Sequence, residues 1–124
     1  MRLSPTAMLE RVKRLTRDGY ILGYAARLNP SKLGAGLLVF IEVLLDRTTP
    51  DAMNLFKAAV QVRPEILACH LVAGGFDYLF KTRVANMQVY REFVGAVIWM
   101  LPGVRETRTY AVMEEVKNTT ALAI

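Results

Sequence analysis

The chain is poor in the two residues that staple small proteins: one cysteine, Cys69, and one histidine, His70, among 124 residues. A lone cysteine forms no intrachain disulfide. One Cys with one His falls short of the four ligands of a structural zinc. Long apolar runs are missing too. The longest stretch without a charge is residues 93–104, twelve residues broken by Pro102 and Gly103, against about 18 for a membrane-spanning helix. Met1-Arg2-Leu3-Ser4-Pro5 holds no apolar segment of the kind a secretory signal needs. No phosphate-binding glycine loop, dinucleotide fingerprint or metal-ligand spacing occurs. The expectation is a cytoplasmic protein with no disulfide, cofactor, metal or membrane partner. What is present is 53% hydrophobic residues in a length that suits one globular domain with a small appendage.

Negative charge is scarce in one place only. Residues 1–32 carry seven cations (Arg2, Arg11, Lys13, Arg14, Arg17, Arg27, Lys32) against Glu10 and Asp18, whereas residues 33–124 carry nine of each sign. The whole excess of +5 therefore lies in the first quarter of the chain. A neutral body with a basic arm is the asymmetry of a protein that meets a polyanion.

Ser4 as N-cap and Pro5 at the first helical position open a helix to about Arg17, and Asp18-Gly19 closes it with glycine at C′. Met8, Leu9, Val12 and Leu15 form its apolar stripe; Thr6, Arg11, Lys13, Arg14 and Arg17 take the other faces. Residues 20–28 read as one or two short strands, and Asn29-Pro30-Ser31-Lys32 as a break and domain boundary. A strand over 37–45 follows, then a helix capped by Thr49-Pro50-Asp51 and ended by Pro64. Strands over 66–73 and 76–84 flank a tight Gly74-Gly75 turn. Asn86 starts a helix reaching Leu101, and Val104 to Val116 is a last strand. The order after residue 33 is β-α-β-β-α-β, the ferredoxin-like arrangement, with both helices on one face of a four-stranded sheet. The strand over 37–45 is apolar on both sides apart from Glu42, so the uncovered face is expected to need a second subunit.

With a basic helix, a short link and a βαββαβ body, the chain resembles the Lrp/AsnC family of bacterial and archaeal transcription regulators. The matching stretches include Leu3-Ser4-Pro5-Thr6, Leu9-Glu10-Arg11-Val12, Gly23-Tyr24, Leu28-Asn29-Pro30, Cys69-His70-Leu71-Val72, Gly75-Phe76-Asp77-Tyr78, Lys81-Thr82-Arg83-Val84, Leu101-Pro102-Gly103-Val104 and Thr107-Arg108-Thr109-Tyr110. They run in the family's order along essentially the whole chain, closest to its leucine-responsive branch. The resemblance implies an α+β protein. Residues 1–32 would be part of a winged helix-turn-helix, its recognition helix and short strands. Residues 33–124 would be the ferredoxin-like effector (RAM) domain. Dimers would associate into octamers, partners would be double-stranded DNA and a small amino acid such as leucine bound between dimers, and the protein would associate with the nucleoid. Family members begin with two further helices, and carry valine where Met1 stands. The chain is therefore expected to be an N-terminally shortened form, with DNA binding weakened for want of the helix that braces recognition.

On that resemblance Ser4, Thr6, Arg11 and Arg14 are the DNA-contact candidates, since helix N-termini favour phosphate and arginine serves phosphate or guanine edges. A basic face that is merely solvated is the plain alternative. Gly74, Gly75 and Asp77 are the effector candidates on the strand turn, with Met87 and Tyr110 as apolar wall. Asp77 either holds the ligand's ammonium or stabilises its own turn as an Asx residue; its removal is expected to affect response and leave the fold intact. Cys69 and His70 look like a nucleophile and base, but neighbours on a strand point to opposite faces, so no catalytic residue is assigned. Two other readings remain: a stand-alone effector-binding or oligomerisation subunit without DNA contact, and a small enzyme on the same ferredoxin-like fold.

Overall fold

The computed structural model describes residues 5–23, 26–120 and 122. Ser4, and with it the expected N-cap of the first helix, lies outside the described residues. Helix α1 spans Pro5–Arg17. It ends as read: Gly19 takes φ 83°, the Gly19 N–H donates to the Thr16 carbonyl at 3.2 Å, and the Tyr20 N–H reaches the Leu15 carbonyl at 2.9 Å. That pair of bonds is a Schellman motif, which glycine allows without steric cost. The short strands expected over 20–28 are not there among the described residues of that stretch, 20–23 and 26–28. Tyr20, Leu22 and Leu28 are exposed, and a strand does not persist without a neighbour to accept its hydrogen bonds. The break at 29–32 is present as a turn, with Asn29 Oδ1 accepting from the Ser31 and Lys32 amides at 3.1 and 3.4 Å.

The body contains β1 (Leu37–Leu45), α2 (Pro50–Gln61), β2 (Ala68–Leu71), β3 (Tyr78–Val84), α3 (Met87–Ala96), a 3₁₀ turn (Ile98–Met100) and β4 (Val104–Ala111). The strands form one antiparallel sheet in the order β2-β3-β1-β4, the ferredoxin-like topology. Thr49 caps α2 by accepting from the Ala52 amide, with Pro50 in the first turn, and Asn86 caps α3 by accepting from Val89 at 3.0 Å.

One face of β1 supplies the core. Val39, Ile41 and Val43 are fully buried, joined by Phe80 of β3, Phe56 of α2 and Ile98 of the 3₁₀ turn. Phe56 stacks against both Tyr78 and Phe80, with ring centroids at 4.6 and 5.8 Å. Two hydroxyls are satisfied inside this layer: Thr82 Oγ1 donates to the Glu65 carbonyl at 2.7 Å, and the Tyr90 and Thr109 hydroxyls bond each other.

Four boundaries differ from expectation, each for a physical reason. Helix α3 stops at Ala96 rather than Leu101, because Pro102 forces Leu101 into extended backbone and the intervening residues tighten to 3₁₀. Strand β4 ends at Ala111 rather than Val116; its ladder runs out where β1 begins, with a last bond from the Val112 N–H to the Leu38 carbonyl. Strand β2 keeps only four residues of the expected 66–73. The Gly74-Gly75 link is no tight two-residue turn. Residues 72–77 make a wider loop, closed by the Val72 N–H on the Asp77 carbonyl, and neither glycine adopts positive φ.

Removing the Phe56 ring should open a cavity between α2 and the sheet. Phe56→Ala is expected to lower unfolding stability by about 3–5 kcal/mol, read as a fall in the midpoint of a guanidinium titration followed by circular dichroism.

Candidate functional site

Helix α1 buries none of its side chains. At ~100° per residue, Thr6, Arg11, Arg14 and Arg17 fall within an arc of roughly 140°, with Glu10 the single acid among them. All five are exposed. Beside this arc Leu9, Val12, Lys13, Thr16 and Arg17 wall an open groove of about 560 Å³, so Arg17 borders both the cationic arc and the groove. Thr6, Arg11 and Arg14 are brought together as the sequence led one to expect.

The effector candidates are not brought together within one chain. Gly74, Gly75 and Asp77 share the 72–77 loop at the end of β1. Tyr110 lies beside Phe40 on the sheet face that carries no helix, five β1 positions from Leu45, or roughly 17 Å at ~3.3 Å per residue. Met87 stands at the start of α3, next to the opposite end of β1, where Val84 pairs with Leu37.

Asp77 has a structural task that the sequence did not show. Its Oδ2 accepts the Leu45 N–H at 2.8 Å, and its own N–H donates to the Val43 carbonyl at 3.1 Å. The carboxylate thus continues the β3-facing edge of β1 just beyond the Val43–Tyr78 pair. It ties the loop to the central strand and is not an Asx residue serving its own turn. Oδ1 makes no hydrogen bond among the described residues.

Next to this loop the open sheet face has a cavity of about 290 Å³ lined by Glu42, Leu44, Gly75, Phe76, Glu106, Thr107 and Arg108. Of the sequence candidates only Gly75 lines it. Glu42, Phe76, Glu106 and Arg108 were missed, although Glu42 is the single charge inside the nine-residue strand β1, and that break in an apolar run was an available signal. The open face is also more charged than β1 alone suggested. Register places Arg108 beside Glu42, Glu106 beside Leu44, Lys81 and Tyr110 on either side of Phe40, and Arg83 beside Leu38. Residues 112–118 run back across this face, where Arg83 grips Glu115 through both carboxylate oxygens. Those hydrogen bonds, chiefly, hold the Glu115 carboxyl below its ordinary pKa, with the charges of Arg83 and Lys81 adding to them and desolvation opposing.

Cys69 and His70 fall on opposite faces, Cys69 opposite buried Phe80 and His70 opposite Leu79. Burial pushes the Cys69 thiol up to about 11, the reverse of what a nucleophile requires. No group of three or more His, Cys, Asp or Glu among the described residues is placed to hold a metal ion. No helix among them is long and apolar enough to cross a membrane.

A ferredoxin-like domain with one open sheet face, joined to an exposed basic helix, is the architecture of a ligand-binding regulator. Residues 38–122 match the Lrp/AsnC ligand binding domain. The chain belongs to the Lrp/AsnC family. It is 57% identical over 122 residues to the leucine-responsive regulatory proteins of Salmonella typhimurium and Escherichia coli K12, covering 98% of this chain and 74% of each relative. Among solved structures, the transcriptional regulator NMB0573 of Neisseria meningitidis in complex with L-Met superposes with a TM-score of 0.88 at 36% identity, over 98% of this chain and 78% of that one. The feast or famine regulatory protein Rv3291c of M. tuberculosis, complexed with L-methionine, gives 0.79 at 27% identity, over 97% and 79%. These relatives are transcription regulators, not enzymes.

Two outcomes follow from the local geometry. Asp77→Ala strands the Leu45 N–H and is expected to cost about 1–3 kcal/mol, while Asp77→Asn keeps an acceptor oxygen and should cost less than half as much in parallel urea titrations. Cys69 should react with iodoacetamide at pH 8 on the order of a hundredfold more slowly than free cysteine, the rate climbing as pH approaches the thiol's raised pKa.

Proposed function

We propose that the chain is a DNA-binding transcription regulator of amino-acid metabolism that responds to a small apolar amino acid, leucine or a close analogue. Residues 1–32 serve as its DNA-binding part and residues 33–124 as its effector and oligomerisation part. The observation that carries the DNA half of this reading is α1. It holds Thr6, Arg11, Arg14 and Arg17 on one exposed arc, while the rest of the chain has no excess charge. Ser4, the remaining contact candidate, lies outside the described residues.

The effector half rests on the scattering of its candidates. Gly74, Gly75 and Asp77 sit at one end of β1, Met87 next to the other end and Tyr110 beside mid-strand Phe40, so a site that uses them all is completed only between subunits. Dimers formed through the open sheet face, associating into octamers, provide such a contact. The two methionine-bound relatives support an apolar amino acid as ligand, and the leucine-responsive relatives support leucine first. A ligand held between dimers favours the assembly in which its site is complete, and thereby biases whatever DNA affinity belongs to that assembly. The protein then acts in the cytoplasm on the nucleoid.

The test measures both halves on the same chain. Binding to duplex DNA should weaken steeply with salt, and Arg11→Ala or Arg14→Ala should each lower the slope of log K against log salt by about one. Isothermal titration with leucine and with methionine should give saturable heat, lost in Asp77→Asn, accompanied by a change of mass in light scattering. Leucine binding with no DNA association at low salt would make the chain an effector subunit alone. No heat with either amino acid would place the effector elsewhere.

A further inference from the structure

The cavity at the loop end of the open face is built mostly of charge. Glu42 of β1 and Glu106 and Arg108 of β4 line it, with Leu44, Phe76 and Gly75 as the rest of its wall. Arg108 stands directly across the strand pair from Glu42, and Glu106 from Leu44. Residues two apart on a strand share a face, so all three charges meet on the uncovered side of the sheet. Opposite charges at such cross-strand positions ordinarily close on each other. Here they do not: among the described residues none of the three makes an ion pair or a side-chain hydrogen bond. Two carboxylates and a guanidinium therefore line one cavity without neutralising one another.

That wall selects a class of ligand. A bare cation is repelled by Arg108, and a simple anion by the two acids. A molecule with an ammonium and a carboxylate on one carbon satisfies both signs at once, through charge-assisted hydrogen bonds. The cavity measures about 290 Å³, at the small end of the roughly 300–1,000 Å³ range of small-molecule sites. That size suits a single amino acid better than a peptide or a nucleotide. Leu44 and Phe76 give the ligand's side chain an apolar neighbour. Asp77 is not one of the walls; it fastens to β1 the loop that carries Gly75 and Phe76.

We propose that this cavity receives the charged head of an α-amino acid, its carboxylate on Arg108 and its ammonium on Glu42 and Glu106. The proposal rests on the amino-acid half of the reading above and gives that ligand a charged subsite contained within one subunit. Because the head is common to all α-amino acids, damage to the subsite should weaken leucine and methionine alike. The ligand in turn should need both of its charged ends.

The test is isothermal titration of the full chain, with circular dichroism as the check on folding. The wild type should bind leucine and methionine. It should bind leucinamide and N-acetyl-leucine, each lacking one charge of the head, about tenfold more weakly, the scale of one charge-assisted hydrogen bond. Arg108→Gln should weaken leucine by a similar factor and no longer distinguish it from leucinamide. Glu42→Gln combined with Glu106→Gln should weaken leucine likewise and no longer distinguish it from N-acetyl-leucine. Variants that keep the wild-type affinity for leucine overturn the proposal and leave amino-acid binding standing. Weakened variants that still discriminate between leucine and its capped forms overturn it as well, since the charges then act through folding or assembly. A wild type that binds no amino acid overturns both. If the double variant fails to fold, Arg108→Gln, at an exposed position, decides alone.

Discussion

Every other part of this molecule is referred to strand β1. It pairs with β3 on one edge and β4 on the other, so both of its hydrogen-bonding edges are used. Val39, Ile41 and Val43 on one side anchor the core, and the opposite side is the middle of the open face. Asp77 fastens the 72–77 loop to its far end through the Leu45 N–H, and the Leu38 carbonyl at its near end takes the last bond from the chain leaving β4. The two ends of one strand therefore set the positions of both the loop proposed for effector and the segment that follows β4. A strand buried on one side and paired on both edges cannot slip register without turning its apolar set outward, which makes it a dependable reference for groups at either end.

The two parts of the chain are built on different physics. The body has a core of aromatic and β-branched residues, satisfied hydroxyls at Thr82 and Tyr90, and charges that cancel. Helix α1 has no buried residue, a nearly one-signed arc and an open groove. The first is suited to holding shape, and the second to meeting something else. Burial raises the pKa of the Cys69 thiol and His70 lies on the other face of the sheet, so the two do not form a nucleophile–base pair.

Much of the fold was legible residue by residue because the signals were local. Gly19 closed α1, Thr49 and Asn86 opened α2 and α3, and apolar runs between turn residues marked the strands. Most misreadings came where a neighbour distant in sequence decides; the end of α3 is the exception. Residues 20–28 had strand composition but no partner strand. The apolar run before Pro102 looked like continuous helix, yet the extended backbone at Leu101 ended it early. Gly74-Gly75 looked like a tight turn, although the loop is organised by Asp77 reaching across to β1. For the candidate site, the helix arc of Thr6, Arg11 and Arg14 followed from a period of 3.6 residues, and Glu42 broke an apolar run, whereas Glu106 and Arg108 joined it only when β4 was laid beside β1.

By itself the sequence determined the order of elements in the body, the neutral body with its basic arm, the exclusion of disulfide and zinc staples, and the family. Apart from the family, carried by stretches along the whole chain, these depend on composition or on residues within a few positions of one another. Only the tertiary structure decided that Asp77 is a tie to the central strand, that Met87 and Tyr110 stand far from it within one chain, and that Arg83 and Glu115, thirty-two residues apart, grip each other across the open face. Strand register and the path of the chain after Val112 place those groups, and both are properties of pairing between distant segments that no local pattern encodes.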